Sequence, residues 1–214
     1  MAASICTEFV EPVAELEVEN LVLLRGGRRV QDGLNCRVAA GQILVVTGRN
    51  GAGKTSLLRA LAGLLEPRAG EIRFRLKDGA IISGGDERGP FTGWIGHHDG
   101  VKPQLTSIEH LKFHLAFDGH AGDPEPALKQ CGLGALRDLP AQYLSAGQRR
   151  RLAFARLMLS ERPLWLLDEP FVALDADGKE FVRTLMERHS ASGGIVIAAT
   201  HEPLGVDGAT LALC

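Results

Sequence analysis

Several features that would assign this chain of 214 residues to a membrane, to nucleic acid or to an oxidising compartment are scarce or absent. No apolar run approaches the roughly 18 residues of a membrane span, and a formal charge of -2 gives no basic footprint for nucleic acid. The four cysteines are scattered without a C-x-x-C pair, which favours reduced thiols over a disulfide or zinc framework. Because the first basic residue is Arg25, we expect no signal peptide. We therefore expect a soluble protein without a nucleic-acid partner.

Glycine, in contrast, is plentiful, and one glycine-rich segment fits the pattern G-x-x-x-x-G-K-[ST]. This segment follows the apolar run 43–46 and precedes apolar residues at helical spacing. Strand, glycine-rich turn and helix are the context of a phosphate-binding loop, because successive backbone N–H groups and the helix N-terminus both attract phosphate. A chance match in a glycine-rich loop is the alternative. The predicted phosphate-binding residues are Gly48, Arg49, Asn50, Gly51, Ala52, Gly53, Lys54, Thr55 and Ser56.

Two side chains of this loop add chemistry to that of its backbone. Lys54 can reach the β- and γ-phosphates of a nucleoside triphosphate, and the hydroxyl group of Thr55 can ligate Mg²⁺. The segment therefore predicts that the chain binds a nucleoside triphosphate together with Mg²⁺.

Two adjacent carboxylates, Asp168 and Glu169, end the apolar run 164–167. Ligands of open α/β sheets collect at the carboxyl ends of strands. We expect Asp168 to hold Mg²⁺, usually through water, and Glu169 to polarise an attacking water molecule. Adjacent strand residues point to opposite faces, so the two carboxylates need not share one role. A surface Asp–Glu pair in a turn is the alternative, which the neighbouring phosphate loop weakens.

A second glycine-containing segment, Leu144–Gln148, precedes a predicted helix. A hydroxyl group and bare backbone at a helix N-terminus can bind an anion, although Ser145 considered singly is more typical of an ordinary N-cap. Within that helix Arg149–Arg151 is the only basic triplet of the chain. We interpret the triplet as a solvated helix face that needs no partner.

The arrangement of strand patterns predicts an α/β fold. The runs 43–47, 164–167 and 195–199 are apolar on both faces, as central strands of a parallel sheet are. Alternation at 16–19 and again at 34–38 predicts half-exposed strands near the N-terminus.

Between these strands lies a stretch with helical patterns, in which Thr106–Glu109 is a capping box that opens a helix. We predict one domain with an α/β core and a β subdomain over about 14–98 and 161–214. An all-helical subdomain would occupy about 99–160 and carry the second glycine-containing segment.

The set of motifs, in its order along the chain, resembles the ATP-binding cassette (ABC) ATPases from about residue 16 to 213. The resemblance implies the phosphate-loop NTPase fold of that family, with an N-terminal antiparallel β subdomain and an all-helical subdomain. It also implies an ATPase that works as a head-to-tail dimer with two ATP molecules between its subunits. The motifs are Gly48–Thr55, Leu144–Gln148, Leu164–Pro170, Ala173–Asp175 and His201.

The same resemblance implies roles for individual residues. Each ATP would lie between Lys54 of one subunit and the signature segment of the other, with Asp175 communicating across the dimer. His201 would contact the γ-phosphate and hold Glu169 and water in line; a satisfied buried histidine after a strand is the alternative. The signature residues are Ser145, Ala146, Gly147 and Gln148.

A narrower resemblance is to the ATP-binding subunits of bacterial haem exporters in cytochrome c maturation. Its particular marks are Ala146 in place of a usual glycine and Phe171 after the sequence Glu169-Pro170. The resemblance implies integral membrane permease subunits on separate chains and a peripheral position on the cytoplasmic face of the bacterial inner membrane. ATP turnover there would support haem delivery to apocytochromes.

Other functions fit the motifs less well. A soluble ABC protein that uses ATP to switch partners, as an assembly or regulatory scaffold, is the alternative. A small-molecule kinase would need neither Leu144–Gln148 nor a carboxylate pair backed by His201. A DNA-maintenance ABC protein would carry long coiled-coil insertions and a basic face, which this sequence lacks.

Two positions depart from the family pattern. His98 stands where ABC ATPases usually carry a glutamine that coordinates metal and water. A neutral imidazole can hydrogen-bond water or ligate a metal, but it titrates near neutrality, so we predict an acid limb in ATPase activity. Arg25 stands where an aromatic residue commonly stacks on adenine; its guanidinium plane can stack on a base, or the position is idle.

Overall fold

The computed structural model describes residues 12–213 and folds them into two β-sheets with five α-helices. The strands are β1 Val13–Arg25, β2 Arg28–Ala39, β3 Ile43–Gly48, β4 Ala69–Leu76, β5 Ile81–Ile82, β6 Thr92–Ile95, β7 Leu164–Asp168, β8 Ile195–Ala199 and β9 Ala209–Leu213. The helices are α1 Lys54–Leu61, α2 Ser107–Phe117, α3 Glu125–Gln130, α4 Ala146–Leu159 and α5 Ala176–Ala191.

The strands near the N-terminus form an antiparallel sheet in the order β2-β1-β4-β5. Because successive side chains of a strand point to opposite faces, this sheet has one apolar and one charged face. Leu16 and Phe74 lie opposite each other and are buried in the core. On the other face Glu17 of β1 pairs with Arg37 of β2 and Arg73 of β4, which also favours this register.

The second sheet is parallel, in the order β6-β7-β8-β3-β9. Every residue of β7 and β8 is buried, because helices cover both faces of the sheet. Leu166 packs in the cluster that contains α1, while its neighbour Leu167 packs in the cluster that contains α4 and α5. The carboxyl ends of β3, β7 and β8 meet at one edge, and the predicted catalytic motifs follow these strands there.

Helices α2, α3 and α4 enclose an apolar cluster of their own, in which Leu111, Leu128 and Leu152 are fully buried. Helix α4 also contacts β6 and α5, so it connects this cluster to the parallel sheet. The capping box predicted at Thr106–Glu109 is confirmed, because each side chain bonds the backbone amide of the other residue. The predicted bounds of the helical subdomain, 99–160, stay a prediction.

Two of the four cysteines, Cys36 and Cys131, carry free thiols. Burial raises the pKa of Cys36 to about 11 and that of Cys131 to about 12, so both thiols are protonated near neutrality. Cys6, Cys214 and the stretch on which the absence of a signal peptide was predicted lie outside the described residues. Over residues 12–213, no helix has the length and apolar character needed to cross a membrane.

Candidate nucleotide-binding and catalytic site

The phosphate loop joins β3 to α1, and its glycines adopt backbone conformations that other residues rarely adopt. The angle φ is +147° at Gly48, +87° at Gly51 and +93° at Gly53. A Cβ atom at Gly48 would lie 2.6 Å from the backbone oxygen of Leu213 in β9, so no side chain fits there. The glycines therefore hold the loop in a tight curve at the carboxyl end of β3.

Helix α1 begins at Lys54, and no side chain caps its first turn. The N–H groups of that turn can therefore bind an oxyanion. The buried ammonium group of Lys54 donates a hydrogen bond to the carbonyl oxygen of Gly48 at 2.8 Å, which places its charge inside the curve of the loop. Loop, helix end and lysine together form a positively polarised nest that suits phosphate.

Thr55 and Asp168 are 113 residues apart in the chain and meet at this edge of the sheet. The Thr55 hydroxyl group donates a hydrogen bond to Oδ2 of Asp168 at 2.8 Å. Burial raises the pKa of Asp168, with Glu169 adding to this effect, while the bond from Thr55 and the charge of His97 oppose it. The two oxygen atoms suit a divalent cation. Among the described residues, no group of three or more His, Cys, Asp or Glu side chains could hold a metal by itself.

Glu169 leaves β7 with φ of +50°, a left-handed conformation that is uncommon for a residue with a side chain. Its amide donates to the backbone oxygen of Ala199 in β8 at 2.8 Å. Its carboxylate is hydrogen-bonded to Nδ1 of His201 at 2.8 Å, and the His201 side chain is 62% exposed. The predicted pairing of Glu169 with His201 is therefore present in the structure, and the buried alternative for His201 is wrong.

A cavity of about 670 Å³ is lined by most of the predicted site residues, including Lys54, Thr55 and Glu169. His201 is not among them and lines a second cavity together with Gly48. Arg25, Val30 and Leu64 form part of the wall of the first cavity, together with His97 and His98. Both departures from the family pattern, Arg25 and His98, thus line the same cavity as the phosphate loop, and their contact with a nucleotide stays a prediction. The other lining residues are Arg49, Asn50, Gly51, Gly53, Lys54, Thr55, Ser56, Arg59, Trp94, Gly96, Asp168 and Glu169.

The signature segment does not line this cavity in the part of the chain that the structure describes. Ser145 and Gln148 instead cap α4, because the Ser145 hydroxyl accepts from the Gln148 amide at 3.2 Å and the Gln148 side chain accepts from the Ser145 amide at 2.8 Å. Ala146 is exposed, and a Cβ atom at Gly147 would lie 2.8 Å from the backbone oxygen of Ala173. Within one chain Ser145 is an N-cap, and its role toward an anion stays a prediction.

Asp175 likewise lies apart from the cavity and caps α5. Its carboxylate accepts hydrogen bonds from the Gly178 amide at 2.8 Å and from Arg151 at 3.1 Å. These two bonds hold the pKa of Asp175 below its ordinary value. Its proposed communication across a dimer stays a prediction.

The interpretation of Arg149–Arg151 as a solvated helix face is wrong for Arg150. Arg150 is buried, because it points from α4 into the loops that follow β6 and β7. The signal in the sequence was its spacing, since Arg150 precedes the buried Phe154 by four residues and so shares its helix face. Arg149 bonds to the backbone of Leu144.

Sequence reasoning also missed Gln31 of β2. Its side-chain amide donates to the backbone oxygen of Ala52 at 2.7 Å, so the antiparallel sheet supports the phosphate loop directly. A Cβ atom at Gly53 would lie 3.0 Å from this amide and 3.0 Å from the backbone oxygen of Val30. No local pattern distinguishes Gln31 from other polar residues of a strand.

A family model described as ABC transporter matches residues 31–172. The match includes the phosphate loop, the signature segment and the carboxylate pair. The chain belongs to the ABC transporter family. Membership confirms the predicted fold class, and it shows that the chain is an ATP-binding ATPase. The alternative function, a soluble ABC protein that acts as an assembly or regulatory scaffold, is not favoured.

Curated relatives and solved structures agree with this membership. Cytochrome c biogenesis ATP-binding export protein CcmA of Rhodopseudomonas palustris (strain BisB5) is 48% identical over 195 residues, covering 89% of this chain and 94% of the relative. The protein of the same name from Dechloromonas aromatica (strain RCB) is 43% identical, covering 92% and 97%. A putative ABC transporter ATP-binding protein from Pyrococcus furiosus has a TM-score of 0.80 at 25% identity, covering 93% and 97%. The narrower resemblance marked by Ala146 and Phe171 is confirmed by these relatives.

Proposed function

We propose that the chain is the ATP-hydrolysing subunit of a membrane export complex in cytochrome c biogenesis, with haem as the exported group. The names of the relatives support the export role. The observation that carries the hydrolytic role is the contact of Thr55 with Asp168 beside Lys54 and the Glu169–His201 pair. These groups share one edge of the sheet; Lys54, Thr55, Asp168 and Glu169 line one cavity there, and His201 lines a second cavity.

Mg²⁺ would be held by Thr55 and Asp168 and by oxygen atoms of the nucleotide. The fit rests on the two protein oxygens 2.8 Å apart, since Mg²⁺ usually takes one or two protein ligands and completes its shell with phosphates and water. His98 is a further candidate ligand on the same wall. The ion would neutralise charge on the phosphate oxygens.

The residues of the chain would then direct water to the γ-phosphate. Glu169 accepts a hydrogen bond from the water and so turns a lone pair of the water oxygen toward phosphorus, while His201 holds the carboxylate in place. The bond from water oxygen to phosphorus forms as the bond from phosphorus to the bridging oxygen of the β-phosphate breaks. The water gives one proton to Glu169, which passes it to the released phosphate, and ADP is left. Lys54 and the loop amides stabilise the charge on the transferred group.

The second half of each site would come from another copy of the chain in a head-to-tail dimer. Ser145 and Ala146 are exposed at the N-terminus of α4, where a second chain can reach them. Asp175 is exposed as well and lies on the adjoining helix α5. A single chain would therefore bind ATP but hydrolyse it slowly.

A membrane permease on separate chains would dock on the groove beside α2. Phe113 and Phe117 stack at its edge with ring centroids 6.4 Å apart and are 42% and 79% exposed. An exposed aromatic pair of this kind is typical of a protein interface. Trp94 lines both this groove and the nucleotide cavity, so a partner here would touch the site indirectly. The chain would thus sit peripherally on the cytoplasmic face of the inner membrane.

The experiment is a pull-down of the tagged Glu169→Gln variant from native membranes with ATP and Mg²⁺. Loss of the carboxylate should lower ATP turnover by about 10²- to 10⁴-fold and trap the ATP-bound complex. We expect integral membrane subunits of cytochrome c maturation among the partners identified by mass spectrometry. The Lys54→Ala variant, which should not hold ATP, is the matched control.

The identity of the captured partners decides between the functions. An unrelated permease would keep the export role and contradict the haem assignment. Capture of soluble proteins alone, with no permease, would contradict the export role and favour the alternative function of a soluble scaffold.

A further inference from the structure

Arg150 lies in the second turn of α4 and is almost wholly buried, with 2% of its surface exposed. A guanidinium group carries five N–H donors and a charge that it does not lose in proteins, so burial requires several acceptors. Its acceptors come from two loops that follow β6 and β7. Both loops line the nucleotide cavity.

The first of these loops carries the histidine pair. Nη1 of Arg150 donates to the backbone oxygen of Gly96 at 2.9 Å and to the carboxylate of Asp99, also at 2.9 Å. These acceptors stand immediately before His97 and immediately after His98 in the sequence. One nitrogen atom therefore fixes both ends of the segment that presents His98 to the cavity.

The second loop carries the catalytic carboxylates. Nη2 of Arg150 donates to the backbone oxygens of Asp168 at 3.0 Å and Glu169 at 2.7 Å, and Nε donates to that of Pro170 at 3.3 Å. The amide of Glu169 is bound to Ala199 on the other side. Glu169 is thus held from β8 and from α4 in the left-handed conformation in which its carboxylate meets His201.

Arg88 is a second buried arginine, and its acceptors lie away from the nucleotide cavity. It is also nearly inaccessible, and it donates to the backbone oxygens of Ala60, Ile72 and Ser83. In the described part of the chain none of these three acceptors lines the nucleotide cavity. Arg88 supports the packing of the β subdomain against α1, whereas Arg150 holds two segments of the site.

We infer that Arg150 is a positioning residue for hydrolysis, because one guanidinium group sets Glu169 and the His98 segment at a fixed place relative to α4. Helix α4 begins at the signature segment, so a ligand that displaces Ser145–Gln148 displaces both loops with it. The inference rests on the proposed role of Glu169 in hydrolysis.

The test compares ATP affinity with ATP turnover in the complex purified with its membrane subunits. Arg150→Lys keeps the charge but replaces the planar fork by a single ammonium group, which cannot reach both loops. Turnover should fall by about tenfold or more, while the dissociation constant for ATP changes by less than about twofold, because Lys54 and its loop are untouched. Asp99→Asn keeps Arg150 and removes only the ion pair, so it should lower turnover in the same direction by less.

Arg88→Lys is the matched control, since it weakens a comparable set of buried hydrogen bonds away from the site. It should lower the unfolding temperature and leave turnover unchanged below that temperature. Equal losses of turnover in Arg88→Lys and Arg150→Lys would show a general structural effect and overturn the inference. Unchanged turnover in Arg150→Lys would overturn it as well, whatever the result for Asp99→Asn.

A double variant separates this inference from the proposed function. If Arg150 acts through Glu169, then Arg150→Lys should add little to the loss caused by Glu169→Gln. An inactive Glu169→Gln with a fully active Arg150→Lys would contradict the inference alone. A fully active Glu169→Gln would contradict the proposed role of Glu169, and the inference with it.

Discussion

The phosphate loop and the signature segment are both glycine-containing turns at the start of a helix, but their surroundings differ. The phosphate loop is packed against β9 through Gly48, supported from β2 by Gln31 and joined to the carboxylate pair by Thr55. Ser145 and Ala146 of the signature segment are exposed, and its two side-chain hydrogen bonds are internal capping bonds.

This difference is consistent with the proposed dimer, in which one half of the site is assembled within the chain and the other half is presented to a partner copy. The phosphate loop is complete within one chain, so a single chain should bind ATP. Among the described residues, the signature segment lies apart from the nucleotide cavity, and in the proposed dimer it would act on the nucleotide of another copy. Changes in the first half should therefore affect binding, and changes in the second half should affect turnover.

The largest effect that sharpens this comparison is expected from Gly147→Val. A side chain there would meet the backbone oxygen of Ala173, from which a Cβ atom would be 2.8 Å away. Turnover in the complex should fall by about 10²-fold, as when a charge-stabilising donor is lost, while ATP still binds. Nucleotide titration and ATPase assays on the same preparation measure both.

Gly122→Val is the matched control, because a Cβ atom at Gly122 has no neighbour within 4 Å. If Gly147→Val weakened ATP binding of the chain as much as it lowered turnover, the two halves would not be separable in this way.

A second prediction concerns the stability of the helical cluster formed by α2, α3 and α4, on the side of the molecule that carries the signature segment. Burial, together with the charges of His114, Arg156 and Lys102, lowers the pKa of His110 to about 4. Below about pH 6.5 the unfolded chain therefore binds a proton that the folded chain does not. The free energy of unfolding decreases as the pH is lowered from about 6.5 toward 4. His110→Phe should remove about 2 kcal/mol of the loss between pH 7 and pH 5.

Denaturant unfolding at the two pH values measures this difference. His120→Phe, at a half-buried histidine beyond α2, is the control. An identical loss of stability in wild type and His110→Phe would contradict the account.

A smaller effect is expected from His98→Gln, which restores the residue usual in ABC ATPases. The imidazole lines the cavity, so the acid limb of ATPase activity that the sequence predicts should depend on this residue. The variant should shift that limb to lower pH or remove it. Because the charge of His97 acts on Asp168, His97→Gln should be measured beside it. An unchanged pH profile in His98→Gln would contradict the prediction.

The smallest effect is expected from Arg25→Ala, at the outer wall of the cavity. Loss of a stacked guanidinium should weaken ATP binding by about threefold, with turnover at saturating ATP unchanged. Arg28→Ala, in the same turn region but not on the cavity wall, is the control. Equal affinity in Arg25→Ala and wild type would indicate that the position is idle.

The fold class and most of the site were predictable because their signals are local. The apolar runs of β3, β7 and β8 predict buried parallel strands, and the residues that follow these strands lie at one edge of the sheet. The pairing of Glu169 with His201 came from the family resemblance, and the structure places the two side chains 2.8 Å apart.

Other features could not be predicted because they depend on contacts between distant segments. Gln31 looks like any polar strand residue until β2 packs against Ala52. The spacing of Arg150 from Phe154 indicates a buried helix face, but the sequence does not show that its acceptors come from the segments at the ends of β6 and β7.

The sequence by itself determined the phosphate loop, since its glycines permit the positive φ angles of a tight curve and its pattern between a strand and a helix is local. It also determined the carboxylate pair and the strands that carry both. Only the tertiary structure decided that Thr55 meets Asp168 across 113 residues, and that Arg150 is buried between two loops. The physical reason is that a buried polar group must find its partners among whatever residues the packing of helices and sheets brings near.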